Sequence, residues 1–252
     1  SFFPKDVPEI YDPTCGDGGL LAVFEGSKKY GQEIDEEQGN YAATNLVEAQ
    51  IEIGDTLADD KFKDRKFSYI VANPPFSVAW EPQMDERFEG FGLAPKSKAD
   101  YAFILHCLHH LEEGGLAVVM CFPGVLYRGQ REGEIRERIV RANLIERVVE
   151  IPGGDFEDTS ISTVLLIFRK NRQTNSVVFE KKETGETREV NLDEIEKNGF
   201  NLSVCQYIEP KSDKAEIDPL KEQVAARAAA LNHLRASIRV DATVCELERF
   251  RQ

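Results

Sequence analysis

Residues Ile10 to Glu33 read I-Y-D-P-T-C-G-D-G-G-L-L-A-V-F-E-G-S-K-K-Y-G-Q-E, and this stretch decides the fold class. An apolar pair runs into a turn containing Gly16, Gly18 and Gly19, a helix opens after it, and a second β-rich run follows at Lys29-Tyr30-Gly31. Glycines let a turn approach a ligand closely, and the N-terminus of the following helix favours electron-rich groups. The pattern is shared by many nucleotide-binding folds, and a plain tight βα turn fits it as well. Glu33 closes the second run about 20 residues on, where a carboxylate reaches both hydroxyls of a ribose. A solvated surface Glu is the alternative.

Outward from this unit the alternation continues. Ile51-Glu52-Ile53, Phe67 to Ala72 and Leu116 to Phe122 read as strands. Asp35 to Glu48, Ala99 to Leu111 and Glu132 to Ala142 read as helices, the middle one stopping at Gly114-Gly115. Such alternation predicts an α/β fold with a doubly wound, mostly parallel sheet. Ile145 to Ile151 and Ser162 to Phe168 have no helix between them, which predicts an antiparallel hairpin closing one sheet edge. Ser176 to Leu192 reads as a further hairpin turning at Thr184-Gly185.

After Pro210 the composition changes. Leu220 to Phe250 is rich in Ala, Arg and Leu, with Val224, Leu231, Ile238 and Cys245 at seven-residue spacing. The expectation is a catalytic domain over 1–210 and a helical tail over 211–252. The tail's stripe suits a coiled-coil seam against another protein, and folding back onto the parent sheet is the alternative.

Asn73-Pro74-Pro75-Phe76, directly after the strand F-S-Y-I-V-A, is a more specific signal. Pro74 pushes Asn73 into an extended conformation, and the two prolines fix their own φ. The result is a rigid arm offering one amide, one carbonyl and one aromatic face. An N-P-P turn with a core Phe is the bland reading. Asp55 ends the third strand, where an adenine ring would lie. Ala79 to Lys98 is long and irregular for a simple connection, and reads either as a mobile flap near the Asn73–Phe76 arm or as a loop pinned by Trp80, Phe88 and Phe91.

Composition sets limits. The chain has 252 residues, 31 basic and 45 acidic, for a net charge of −14. Residues 212–252 carry seven of each sign, so the whole deficit, 24 basic against 38 acidic, lies in 1–211. Such a body does not favour nucleic acid unaided. No apolar run approaches the roughly 20 residues of a membrane helix, and no signal-peptide pattern opens the sequence. Five cysteines form no C-x-x-C pair, so the expectation is reduced thiols, no metal site and a cytoplasmic protein.

D-P-T-C-G-D-G-G and N-P-P-F together resemble the S-adenosylmethionine-dependent amino-methyltransferases. The blocks K-S-K-A-D-Y-A-F-I-L-H-C-L-H-H-L-E-E-G-G and E-G-E-I-R-E-R-I-V-R-A-N-L-I-E-R-V-V-E-I-P-G-G-D-F-E-D-T-S-I-S-T-V narrow this to the modification subunit of type I restriction–modification systems, which methylates adenine N6 in DNA. The resemblance runs from Ile10 to Pro210. It implies that Asp12, Pro13, Cys15, Gly16, Asp17 and Gly18 line the methionine end of S-adenosyl-L-methionine, Glu33 holds the ribose and Asp55 the adenine. It makes Asn73, Pro74, Pro75 and Phe76 the catalytic arm that takes a flipped base. Asp17 stands where the family has Ser or Thr, and is expected to face the sulfonium or the amino group. Family members also carry an N-terminal helical domain and an F-x-T-P-like motif upstream, so the resemblance reads this chain as a truncated form. The implied partners are DNA, a specificity subunit that reads the sequence, a restriction subunit, and a second modification subunit. The enzymatic alternatives that share N-P-P-[FY] act on guanine N2 in ribosomal RNA or on a release-factor glutamine; a catalytically silent assembly subunit is the other.

Overall fold

The second half of Phe67–Ala72 is buried throughout, as befits a strand covered on both faces, and the segment lies at the heart of a nine-stranded sheet. A computed structural model describes residues 2–154 and 162–209; the expected tail helix over Leu220 to Phe250 lies outside them. The strands are β1 (Glu9–Asp12), β2 (Lys28–Glu33), β3 (Ala49–Ile53), β4 (Phe67–Ala72), β5 (Leu111–Cys121), β6 (Ile145–Ile151), β7 (Thr163–Arg169), β8 (Ser176–Lys181) and β9 (Glu186–Asn191). The helices are α1 (Gly19–Ala22), α2 (Glu36–Asn45), α3 (Asp100–His110), α4 (Gln130–Arg141) and α5 (Leu192–Lys197). No helix among the described residues is long and apolar enough to cross a membrane.

The spatial order is β3-β2-β1-β4-β5-β7-β6-β8-β9. Strands β1 to β5 run parallel, β7 is antiparallel to both β5 and β6, β8 is parallel to β6, and β9 is antiparallel to β8. The chain is therefore α/β, with a doubly wound and mostly parallel sheet. The β6–β7 pair is antiparallel as expected but lies inside the sheet, and the hairpin at the edge is β8–β9. Burial explains the placement. Val148, Val149, Val164 and Leu166 are covered, whereas β9 keeps most of its residues in solvent and can tolerate an edge.

Two helices end earlier than their apolar pattern. Asp35 caps α2 by accepting from Gln38 N at 2.9 Å, and Glu36 and Glu37 complement the N-terminal dipole. The helix stops at Asn45 because Leu46 turns extended and packs into the apolar cluster beside Cys15 and Leu21. Helix α3 stops at His110, short of the glycine pair, because Leu111 joins the ladder beside Phe67. Two lysines serve the exposed carbonyls there: Lys66 Nζ donates to His109 O at 2.7 Å and Lys170 Nζ to Leu111 O at 2.6 Å.

Helix α3 is buried on nearly every side and anchors the larger core with Phe67, Phe168 and Phe179. A smaller cluster built on Val7, Ile10, Leu21 and Val71 covers the opposite face near α1. The chain leaves β1 toward β2 on one side and β4 toward β5 on the other. A crevice therefore opens at the carboxyl ends of β1 and β4, the place where open α/β sheets take their ligands.

Candidate functional site

The turn after β1 is shaped by its glycines and tied to β2 by Glu33. Gly16 and Gly18 sit at φ 54° and 85°, the left-handed region that glycine enters without penalty. Glu33 Oε2 accepts from Gly16 N at 2.7 Å, and its Oε1 accepts from Asp35 N at 2.9 Å. One carboxylate thus fixes both the glycine turn and the start of α2. It also consumes the donor that a phosphate would need. Asp17 Oδ1 takes Gly19 N at 2.9 Å in the same way. The turn is therefore preoccupied by negative charge, and a pyrophosphate-bearing dinucleotide does not suit it.

Above the turn lies a cavity of about 590 Å³, a usual size for a ligand site. Its walls include Pro13, Thr14 and Gly16 from the turn, Glu33 and Asp35 from β2 and the α2 cap, and Asp55, Thr56 and Leu57 after β3. Asn73, Pro75, Trp80 and Phe103 close the other side. Among the described residues, three carboxylates line it and no Lys or Arg does, so its electrostatics favour a cationic ligand. Trp80 and Phe103 give it flat apolar surfaces.

The expected site residues divide accordingly. Pro13, Gly16, Glu33, Asp55, Asn73 and Pro75 face the cavity. Asp12 is buried beneath the turn, Cys15 packs its sulfur against Gly31 of β2, and Gly18 packs against Leu46 of the segment after α2. Burial pushes the Cys15 thiol up, so it stays protonated. Asp17 departs most from expectation: it is exposed and turned to Gly19 N instead of toward the cavity. Pro74 is buried, Phe76 is half-buried, and neither lies on the cavity wall. Asn73 is exposed at the end of β4. The sequence reading assigned no role here to Thr56 and Leu57, which directly follow Asp55, or to Phe103, which lies 46 residues beyond Leu57. Trp80, four residues after Phe76, carried a usable signal as the only tryptophan.

Asp12 sets the pH behaviour of this end. Its Oδ1 accepts from Thr14 N at 2.9 Å, while Oδ2 is buried with no hydrogen-bond partner among the described residues. Burial, offset in part by the Thr14 hydrogen bonds and reinforced by the nearby Glu33 charge, raises its carboxyl from an ordinary 3.8 to about 7. The folded protein therefore holds a proton that the unfolded chain releases near 3.8. The stability from this group is complete below that value and is lost as pH rises through about 7. A cation in the adjoining cavity favours the ionised form, so its affinity should rise by up to about tenfold per pH unit below pH 7 and flatten above. Calorimetric titration from pH 5.5 to 8.5 should show this slope for the wild type and lose it in Asp12→Asn.

The connection 79–98 is anchored at several points in this structure. Trp80 N donates to Lys96 O at 2.9 Å, Trp80 Nε1 to Pro95 O at 3.0 Å, and Ala99 N to Val78 O at 2.8 Å. Trp80 and Phe88 are buried with ring centroids 5.5 Å apart. Behind the cavity, Asp60, His106 and His110 bring three ligand-type atoms within 4.8 Å of one another, a cluster that the sequence reading missed because its members span fifty residues. Each of the three already has hydrogen-bond partners within the protein. Arg87 Nη1 lies 3.2 Å from His106 Nδ1, and His110 Nε2 lies 2.9 Å from Asp60 Oδ2. Burial works against the Asp60 charge, but the His110 hydrogen bond, the electrostatic pull of the two histidines and the Phe62 N–H together outweigh it and hold the carboxyl at about 2.

With this geometry in view, the likenesses to known proteins are consistent. The family described as N-6 DNA Methylase matches residues 3–189. The type I restriction enzyme MpnII methylase subunit of Mycoplasma pneumoniae is 30% identical over 274 aligned positions, covering 84% of this chain and 50% of that protein. The MjaIX methylase subunit of Methanocaldococcus jannaschii is 32% identical, covering 65% of this chain and 34% of its own length. A solved structure of a type I restriction-modification methyltransferase subunit from Streptococcus thermophilus superposes with a TM-score of 0.76 at 28% identity, over 82% of this chain and 56% of that one. The chain spans about half, or less, of the length of the curated relatives it matches.

Proposed function

This chain belongs to the N-6 DNA methylase family, and from that premise we propose that it transfers a methyl group from S-adenosyl-L-methionine to N6 of a flipped adenine in DNA, as the catalytic part of a type I modification subunit. The observation that carries the reading is that Glu33 and Asn73 line one acidic cavity at the carboxyl ends of β2 and β4. The residues present suit the cofactor. Among the described residues, three carboxylates and no cation surround a space for a positively charged nucleoside, and the buried Asp12 oxygen has no hydrogen-bond partner.

S-adenosylmethionine supplies an activated methyl on a cationic sulfur. The turn around Pro13 to Gly16 holds its methionine end, Glu33 the ribose hydroxyls and Asp55 the adenine, with Asp12, Cys15, Asp17 and Gly18 shaping the turn. The Glu33 oxygens each accept one main-chain N–H and retain lone pairs for the ribose. The lone pair of the target amine is delocalised into its ring. Accepting both amine hydrogens, at the Asn73 side-chain oxygen and the Pro74 carbonyl, favours a tetrahedral nitrogen whose lone pair faces the methyl. Positioning and fixed dipoles then do the work. Flipping the base costs a few kcal/mol, and stacking on Phe76 returns about 1–3 of these.

The acidic body argues for a partner that brings positive surface to DNA. The relatives are named as subunits of type I restriction enzymes, and the same assembly is proposed here: a specificity subunit docked on the 211–252 tail, a restriction subunit and a second modification subunit, in the cytoplasm. Isotope-labelled methyl from the cofactor should appear as N6-methyladenine in duplex DNA when the complex is assembled. Label on ribosomal RNA or on a release-factor glutamine would replace this reading with one of the other amino-methyltransferase activities. Cofactor binding without transfer to any of the three would make the chain an assembly subunit.

A further inference from the structure

Arg87 lies in the irregular connection after N-P-P-F, yet its side chain is almost fully buried. A guanidinium has five N–H donors and no acceptor, and here all five are used. Nη1 donates to Thr56 O at 2.8 Å and Nη2 to Leu57 O at 2.7 Å. Nε and Nη2 clasp the Asp85 carboxylate at 3.0 and 2.6 Å. The remaining Nη1 proton points to His106 Nδ1 at 3.2 Å.

This last contact fixes the His106 tautomer. Because arginine only donates, Nδ1 must accept, which leaves the ring proton on Nε2, 2.9 Å from the Tyr11 hydroxyl of β1. Burial, aided by His110, keeps the His106 ring in the neutral form that this arrangement needs. Arg87 therefore joins three pieces of chain: the loop that follows the catalytic arm, the Thr56-Leu57 wall, and α3 with β1 behind it.

We propose that Arg87 is a positioning residue that holds the cofactor wall in its binding shape and locks it to the segment following Asn73–Phe76. The proposal rests on the methyltransferase reading of the cavity. The two carbonyls it grips belong to cavity-lining residues, and Asp55, which accepts from Leu57 N at 2.9 Å, takes its orientation from the same turn. The loop it fastens carries Trp80, which lines the opposite wall. One side chain thereby sets the distance between the two walls.

Lysine keeps the charge but offers a compact point donor and cannot span these acceptors together. The test uses the full chain, with S-adenosylmethionine titrated by calorimetry and followed by fluorescence of Trp80, the only tryptophan. Arg87→Lys should raise the cofactor Kd by about tenfold and Arg87→Ala by more, and both should shift the Trp80 emission to the red. A merely structural arginine would lower the melting temperature and leave the Kd of the folded protein and the emission unchanged, and that result overturns the proposal. If Arg87→Ala does not fold, Arg87→Lys decides. Failure of the wild-type chain to bind would instead overturn the cofactor reading, and the proposal with it.

Discussion

Replacing Asn73 with Ala should lower the rate of methyl transfer in the assembled complex by roughly 10²–10³-fold while leaving the melting temperature of the chain unchanged. The magnitude is that of removing one preorganised acceptor from a reacting centre. The insensitivity of the fold follows from position: Asn73 is exposed just after β4, while Pro74 beside it is buried. Asn73→Asp is the informative companion. It keeps an oxygen in place but adds a fourth carboxylate to a cavity already lined by Glu33, Asp35 and Asp55. Cofactor binding should survive that change and turnover should not recover. Near-wild-type methylation by Asn73→Ala would remove Asn73 from the mechanism.

Glu33→Ala should weaken S-adenosylmethionine binding by about 1.5–3 kcal/mol for each charge-assisted hydrogen bond lost, hence by at least about tenfold. The loss has two sources. The cofactor forfeits its ribose acceptor, and the N–H groups of Gly16 and Asp35 lose the carboxylate that holds the turn against the cap of α2. Glu33→Gln separates little from Ala, because an amide has only one oxygen and must turn its NH₂ toward one of two main-chain donors. Calorimetry showing equal affinity for wild type and Glu33→Ala would sink the assignment.

The parts of the fold legible in the sequence were those governed by local chemistry. The strand F-S-Y-I-V-A ends where Asn-Pro-Pro forbids a ladder, and β4 has those limits. The helical pattern that opens at Asp35 is α2, with Asp35 itself serving as the cap. Where long-range pairing competes, the local pattern loses. Helix α3 stops at His110 because Leu111 gains a partner in Phe67, which no window around Leu111 reveals. The same limit applies to the site. Glycine turn, Glu33 and Asn73 were visible as motifs at strand ends, but Asp17 turned toward Gly19 because its own backbone offers a nearer donor than any ligand. The five contacts of Arg87 were invisible, since their acceptors lie 19 to 31 residues away except for Asp85.

The position of β7 has a consequence for how the chain must be made. Strand β5 finds no permanent neighbour on its far side when it is synthesised, because the strand that pairs there, Thr163–Arg169, comes after β6. A nascent chain that has reached Ile151 thus holds two strands waiting for the same third one, each with an open row of main-chain donors and acceptors. Open edges of this kind recruit other chains, and such exposure grows more hazardous when pairing is late and non-local. On arrival, β7 pairs with both strands in a single event and leaves the other edge of β6 for β8.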